Sequence, residues 1–147
     1  MNEQVEQYWH EFCVKNKIAP SELDEAFAFG NTKQMADELA DLVKRGIKTA
    51  TTSLYDPSDS LAQVGKYCII LNGSDEPVCV IQNKVCEIMP FKQVSQEHAY
   101  HEGEGDRTYA SWRKAHVDFF TKECEQEGLA PFSEYTLVVC EVFSKVN

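Results

Sequence analysis

A chain of 147 residues with 43% hydrophobic content is long enough to bury a core without staples, and its composition is that of a globular protein. Its net charge of −10 excludes a broad basic face for tracking phosphates, so any contact with nucleic acid has to be local. No stretch reaches the ~18 apolar residues of a membrane span, and Met1 to Glu6 carries acids where a signal peptide carries lysines, so a cytoplasmic protein with no membrane partner is expected.

In chain order, Val5, Tyr8, Trp9, Phe12 and Cys13 repeat at helical spacing and predict an amphipathic helix from Asn2 to about Lys17. Pro20-Ser21-Glu22-Leu23-Asp24 predicts a loop and a second helix capped by Ser21, ending at Ala26-Phe27-Ala28-Phe29-Gly30. Asn31-Thr32 caps a third helix to about Arg45, with Met35, Leu39, Leu42 and Val43 as its apolar stripe and Gly46 as its left-handed stop. Strand patterns follow at Thr49–Tyr55, Lys66–Leu71 and Val78–Met89, the last two joined by a turn beginning at Asn72-Gly73. Ser95 starts a short helix ending near Gly103, and Asp106 or Thr108 caps a long one to about Glu127, closed by Gly128. Tyr135 to Val146 alternates and is β-branched, which makes a final strand. The class is α+β with a small mixed sheet in one domain, residues 1–147, carrying an N-terminal helical extension over about 1–24.

Six cysteines form no CxxC pair and mostly sit in apolar runs, so buried reduced thiols are expected. Three stretches carry candidate chemistry. In Arg45-Gly46-Ile47-Lys48-Thr49-Ala50-Thr51-Thr52-Ser53, a glycine exit is followed by a lysine and four hydroxyls. Extended backbone puts 48 and 50 on one face and 49 and 51 on the other, so Lys48 meets Thr51 only across a turn or bulge. The bland reading is a threonine-rich strand behind a solvated lysine.

In His98-Ala99-Tyr100-His101-Glu102-Gly103-Glu104-Gly105-Asp106, carboxylates alternate with glycines after two histidines. No cofactor is expected, although His98, His101 and a carboxylate are conceivable ligands of a divalent metal; the bland reading is a capped loop with Glu104 solvated. On the long helix, Tyr109, Trp112, His116, Phe119 and Phe120 share a face that reads as core. His116 there reads first as a hydrogen-bonded core histidine, and Arg113 as the partner of an acid in the 102–106 loop. No P-loop, nucleophile elbow or dinucleotide fingerprint is present.

Gly46-x-Lys48-x-x-Thr51 after a helix, then Glu102-Gly103-Glu104-Gly105-Asp106, Trp112-Arg113-Lys114-Ala115-His116 and Phe119-Phe120 resemble the ASCH (activating signal cointegrator homology) domain family, stand-alone bacterial branch. The resemblance covers about residues 25 to 145 and implies a PUA-like small mixed β-barrel with flanking helices. It also implies a cleft for RNA or a small nucleoside or nucleotide. In small bacterial members a lysine, a threonine and a glutamate are associated with amide hydrolysis of acetylated cytidine; Lys48, Thr51 and Glu102 match them. Another branch, similar in its Trp-Arg-x-x-His segment, is associated with ribonuclease activity.

The expectation is therefore a small hydrolase acting on RNA or a modified nucleoside through Lys48, Thr51 and Glu102. Arg45, Gly46, Thr49, Ser53, Asp106, Arg113 and His116 are the candidate substrate contacts. The alternative is a non-catalytic RNA- or nucleotide-binding module using the same cleft. Either way the acidity of the chain removes the counterion-release drive for long duplexes. Duplex DNA in a filter assay near physiological salt should bind with a Kd of about micromolar or weaker; nanomolar retention would contradict this reading.

Overall fold

The computed structural model describes residues 1–147. Helix α1, Glu3–Asn16, begins where Asn2 accepts from the Val5 amide and ends at Lys17 in the left-handed region. Its apolar stripe, Val5, Trp9, Phe12 and Cys13, is the buried face. Helix α2, Lys33–Lys44, is capped by Thr32, whose hydroxyl accepts from the Met35 amide, and buries Ala36, Ala40 and Val43. Helix α3, Gln96–Glu102, is capped by Ser95, and helix α4, Tyr109–Gln126, by Thr108. These lie where the sequence periodicity and caps put them.

One element differs. The segment read as a second helix is a single 3₁₀ turn, Pro20–Glu22, followed by strand β1, Leu23–Phe27. Ser21 caps nothing there. Leu-Asp-Glu-Ala-Phe has fair helix propensity, but its backbone pairs in parallel with a neighbouring strand (Leu23 with Tyr67, Phe27 with Ile70), and tertiary pairing outweighs the small intrinsic preference.

The remaining strands are β2, Ala50–Leu54, β3, Tyr67–Leu71, β4, Pro77–Pro90, and β5, Leu137–Lys145. They form one five-stranded sheet in the order β1-β3-β4-β5-β2, with every pairing antiparallel except β1 with β3. Strand β4 pairs with β3 through its first half and with β5 through its second, with a register shift between Asn83 and Val85 that bends it. The sheet rolls up until its two edges, β1 and β2, face one another without hydrogen bonding. Between them lies a cavity of about 800 Å³ whose walls include Phe27 of β1 and Thr51 and Ser53 of β2.

Both faces of β3 are covered, which explains its unbroken apolar run. Ile69 packs with Val80 against α1, whereas Cys68 and Ile70 pack with Ala40 and Val43 of α2. A third cluster joins Phe91, Trp112 and Phe120 to Val138 and Cys140 of β5. All six cysteines are free thiols, and burial pushes Cys68 up to about 12 and Cys79 and Cys140 up to about 11. No helix is long and apolar enough to cross a membrane.

The close of α3 fixes how near its end lies to the chain after α2. Gly103 has φ 74°, and a Cβ there would stand 2.6 Å from the Ile47 carbonyl oxygen, whereas Gly105, at φ 60°, has nothing within 4 Å. Gly105→Ala should cost about 1–2 kcal/mol from left-handed strain alone. Gly103→Ala should cost roughly 2–5 kcal/mol, because the clash adds to the strain. Denaturant melts compare the two, and equal losses would contradict the close approach.

Candidate functional site

Gly46, at φ 76°, turns the chain sharply off α2. The amides of Ile47 and Lys48 both return to the Leu42 carbonyl, at 2.9 and 3.1 Å. Thr49 is then held from two sides: its amide donates to the His101 carbonyl (2.7 Å) and its own carbonyl accepts from the Phe143 amide (3.0 Å). Residue 48 is thereby trapped between the end of α3 and the sheet, and its side chain has only the interior to enter. Lys48 is 2% exposed and Glu102, the last residue of α3, is 1% exposed.

An ammonium buried so deeply has three hydrogens to satisfy. Lys48 Nζ donates to the Ala50 carbonyl at 2.9 Å and to Glu104 Oε2 at 3.0 Å. Its third hydrogen is loosely shared between the Glu102 carbonyl (3.5 Å) and Glu102 Oε1 (3.6 Å). The Phe29 ring lies 5.1 Å from Nζ.

The two oxygens of Glu102 have different roles. Oε2 is fully engaged, accepting from the Thr52 hydroxyl at 2.7 Å and the Trp112 indole at 2.6 Å. Oε1 faces Lys48 at 3.6 Å and His116 Nε2 at 3.3 Å. His116 Nδ1 lies 2.8 Å from the Trp112 carbonyl, so both ring nitrogens meet acceptors and the ring carries two protons. Its plane stacks on Trp112 with centroids 4.3 Å apart. His98 Nε2 lies 3.1 Å from the Thr51 carbonyl and 3.0 Å from the Thr52 hydroxyl. Since that hydroxyl gives its proton to Glu102, His98 donates from Nε2.

The titration behaviour follows from these contacts. Burial alone would raise the Glu102 carboxyl, but the His116 hydrogen bond and the charge of Lys48 outweigh it and hold the group at about 2. Burial likewise opposes a charged His116, yet its hydrogen bond and attraction to Glu102 leave it above the ordinary histidine value. For His98 burial wins, and its value is lowered.

Lys48, Thr51 and Glu102 line one cavity of about 160 Å³, together with Thr52, Glu104 and His116. The Thr51 hydroxyl has no hydrogen-bond partner, and Thr51 and Phe29 also line the larger cavity between β1 and β2. The remaining candidates lie elsewhere. Ser53 lines the larger cavity and a further one beside Tyr55, but not the cavity of Lys48 and Glu102. Gly46 serves the chain reversal, and the Thr49 hydroxyl reaches the His101 carbonyl at 3.4 Å. Arg45 pairs with Asp41 at 3.5 Å on the surface. Asp106 accepts from the amide and hydroxyl of Thr108, the residue that caps α4.

Three readings are corrected. Arg113 reaches Glu134 at 4.0 Å and not an acid of the 102–106 loop, because its place on α4 faces the segment before β5. Glu104 is not a free solvated acid but a partner of Lys48. His98 and His101 do not converge on a shared ligand position: His98 turns inward, and His101 faces Glu97 at 3.8 Å on the surface.

Thr52 is a contact of the site that the residue pattern did not single out, and Trp112 and His98, read there as core and as a conceivable metal ligand, are contacts of Glu102 and of Thr52. The signal for Thr52 was present, since strand alternation places 48, 50 and 52 on one face. His98 and Glu102, and likewise Trp112 and His116, stand one helical turn apart.

A model of the ASCH domain matches residues 25–147. The chain belongs to the ASCH-domain family. Among solved structures, it is similar to an ASCH domain from Lactobacillus crispatus JV V101, with 28% identity and a TM-score of 0.88 over 99% of this chain and 95% of that one. It is also similar to a protein of Enterococcus faecalis V583, with 32% identity and a TM-score of 0.86 over 99% of this chain and 94% of that one. Both alignments extend across α1, which the family model does not reach. A comparison with curated proteins finds no significant match. The ASCH sheet with its covering helices is the PUA-like architecture expected above.

The charged His116 makes stability depend on pH. A histidine whose folded value is raised stabilises fully below its unfolded value near 6.5 and stops doing so as pH rises through the folded value. The part of the melting temperature that His116 contributes, wild type minus His116→Gln, should therefore fall as pH climbs above about 6.5; His98, whose value burial lowers, acts with the opposite sign and cancels in that difference. The His116→Gln variant should melt below wild type at acidic pH and approach it as pH rises. Glu102, unfolded near 4.5 and folded near 2, contributes above 4.5 and loses its contribution on descent between the two. A wild-type minus His116→Gln difference that grows from pH 6 to 9 would contradict the imidazolium assignment.

Proposed function

We propose that this ASCH-domain protein is a small hydrolase acting on RNA or a modified nucleoside, with Lys48, Thr51 and Glu102 at its centre. The observation that carries this reading is a buried ammonium–carboxylate pair, supported on every side, opening onto a cavity beside an unpartnered hydroxyl. Structural ion pairs of this depth are expensive to desolvate, and a site that lines a cavity with one makes use of its field.

For an acylated exocyclic amine, the chemistry is an addition to the amide carbonyl by water or by the Thr51 hydroxyl. The new C–O bond places charge on the carbonyl oxygen, which the third hydrogen of Lys48 stabilises. The C–N bond then breaks: the leaving amine takes the Nε2 proton of His116, the proton given up by the attacking water or hydroxyl returns to the Glu102–His116 pair, and an acyl group left on Thr51, where the hydroxyl attacks, is released by water through the same two transfers. Glu102, at about 2, is a weak base, so the proton resides on His116 and Glu102 orients it. Lys48 acts as a charge and not as a base, since its ammonium is built into the wall by Ala50 and Glu104.

The second reading, a non-catalytic RNA- or nucleotide-binding module, is favoured by that same built-in ammonium, which leaves only one hydrogen weakly held.

Turnover separates the two readings. Purified protein is given acetylated cytidine, followed by absorbance, and short labelled RNA, followed on a gel. Hydrolysis of one of them should fall at least ~10²-fold in Lys48→Ala and in Glu102→Gln. Thr51→Val should lower it by orders of magnitude if the hydroxyl attacks, with little change in melting. Thr52→Val should instead lower stability by about 1–3 kcal/mol, because it removes a donor from a buried carboxylate. Binding of either ligand without turnover would favour the module.

A further inference from the structure

The charges around the cleft are arranged against anions. Lys48 and His116 are the only cationic groups lining the smaller cavity, and the carboxylates of Glu102 and Glu104 offset them one for one. The larger cavity shares Phe29 and Thr51 with it and is lined by Asp24, Glu25, Asp59 and Glu141, with no lysine, arginine or histidine. Burial and then neighbouring carboxylates push Glu25 and Glu141 up, as negative charges without a cation behave.

Of these groups, Glu104 is the one placed to decide what reaches Lys48. Its side chain is 35% exposed, so it stands at the mouth while Lys48 and Glu102 stand behind it. It takes one of the two short contacts of the ammonium, 3.0 Å. Gly103 and Gly105, both in the left-handed region, hold it in a turn whose backbone an ordinary residue adopts only with strain. The hydrogen left over, shared at 3.5 and 3.6 Å, lies beyond the usual N–H···O range and is free for a neutral acceptor such as a carbonyl oxygen. A phosphate in that place would have to stand beside two carboxylates or expel Glu104.

We propose that Glu104 is the specificity-determining residue of this cleft: it guards the Lys48 ammonium against anions, so that the ligand is a phosphate-free nucleoside presenting a carbonyl oxygen, and nucleotides and RNA are turned away. The nucleoside part rests on the hydrolase reading above; the guarding of Lys48 does not. Removing the charge of Glu104 leaves the smaller cavity with two cations against one carboxylate.

Inorganic phosphate is the first probe, titrated into wild type, Glu104→Gln and Glu104→Asp while amide shifts of residues 49–52 are followed by NMR. Glu104→Gln keeps the shape and an acceptor for Lys48, and Glu104→Asp keeps the charge, so a melt of each confirms folding independently of binding. Phosphate should bind Glu104→Gln at least ~10-fold more tightly than wild type, the change expected for one unit charge at close range. Glu104→Asp should stay close to wild type.

The second probe is cytidine against cytidine 5′-monophosphate on the same proteins. Wild type should prefer cytidine, and Glu104→Gln should lose that preference. Equal phosphate response in wild type and Glu104→Gln, including none in either, would overturn the proposal, as would a wild-type preference for the monophosphate. The phosphate arm involves no nucleoside and no turnover. A failed hydrolase reading would therefore show in the turnover assay alone, and the guarding role of Glu104 would stand or fall on phosphate binding.

Discussion

An ammonium and a carboxylate almost out of reach of water persist only if the surrounding chain meets nearly all of their hydrogen-bonding capacity, and Lys48 and Glu102 meet theirs from separate segments. The sheet supplies Ala50 and Thr52, α4 supplies Trp112 and His116, and the turn after α3 supplies Glu104. Taking either partner away would strand an uncompensated charge, which costs far more than the net contribution of the intact pair. The pair is therefore a registration device as much as a chemical one. It ties the exit of α2, the end of α3 and the face of α4 to a single point.

The barrel is arranged around that point. Because β1 and β2 are the two edges of the sheet and do not pair, the roll stays open along one line, and the cleft occupies the opening. Strand β2 faces it with alternate residues: Thr52 turns to Glu102 and secures the pair, while Thr51 and Ser53 line the gap. One strand thus carries support on one face and cavity-facing hydroxyls on the other. The aromatic stack of Trp112 with His116 and Phe91 performs a comparable double task on α4, filling core while presenting one indole donor and one imidazolium to the carboxylate.

This arrangement explains why a strongly acidic protein can belong to a family linked with RNA and still carry little cationic surface at its cleft. The positive charge is internal and matched by carboxylates, so it acts on groups brought within contact distance and contributes little to long-range attraction.

The sequence by itself determined the elements whose signals are local. Caps at Thr32, Ser95 and Thr108 and stops at Gly46 and Gly103 depend on backbone geometry within one turn, so they are legible without a fold. The order of the Gly46-x-Lys48-x-x-Thr51 and Glu102 motifs was legible as well, through family resemblance. What only the tertiary structure decided is whatever depends on partners distant in the chain. Leu23–Phe27 became a strand because the β3 edge accepted it, against its own propensity. Glu104 became a ligand of Lys48, and Arg113 a partner of Glu134, because side chains of ambiguous reach take the nearest opposite charge that folding delivers. His116 fits the core reading by its stacking and the site reading by its charge, and only the position of Glu102, fourteen residues earlier in the chain, could join the two.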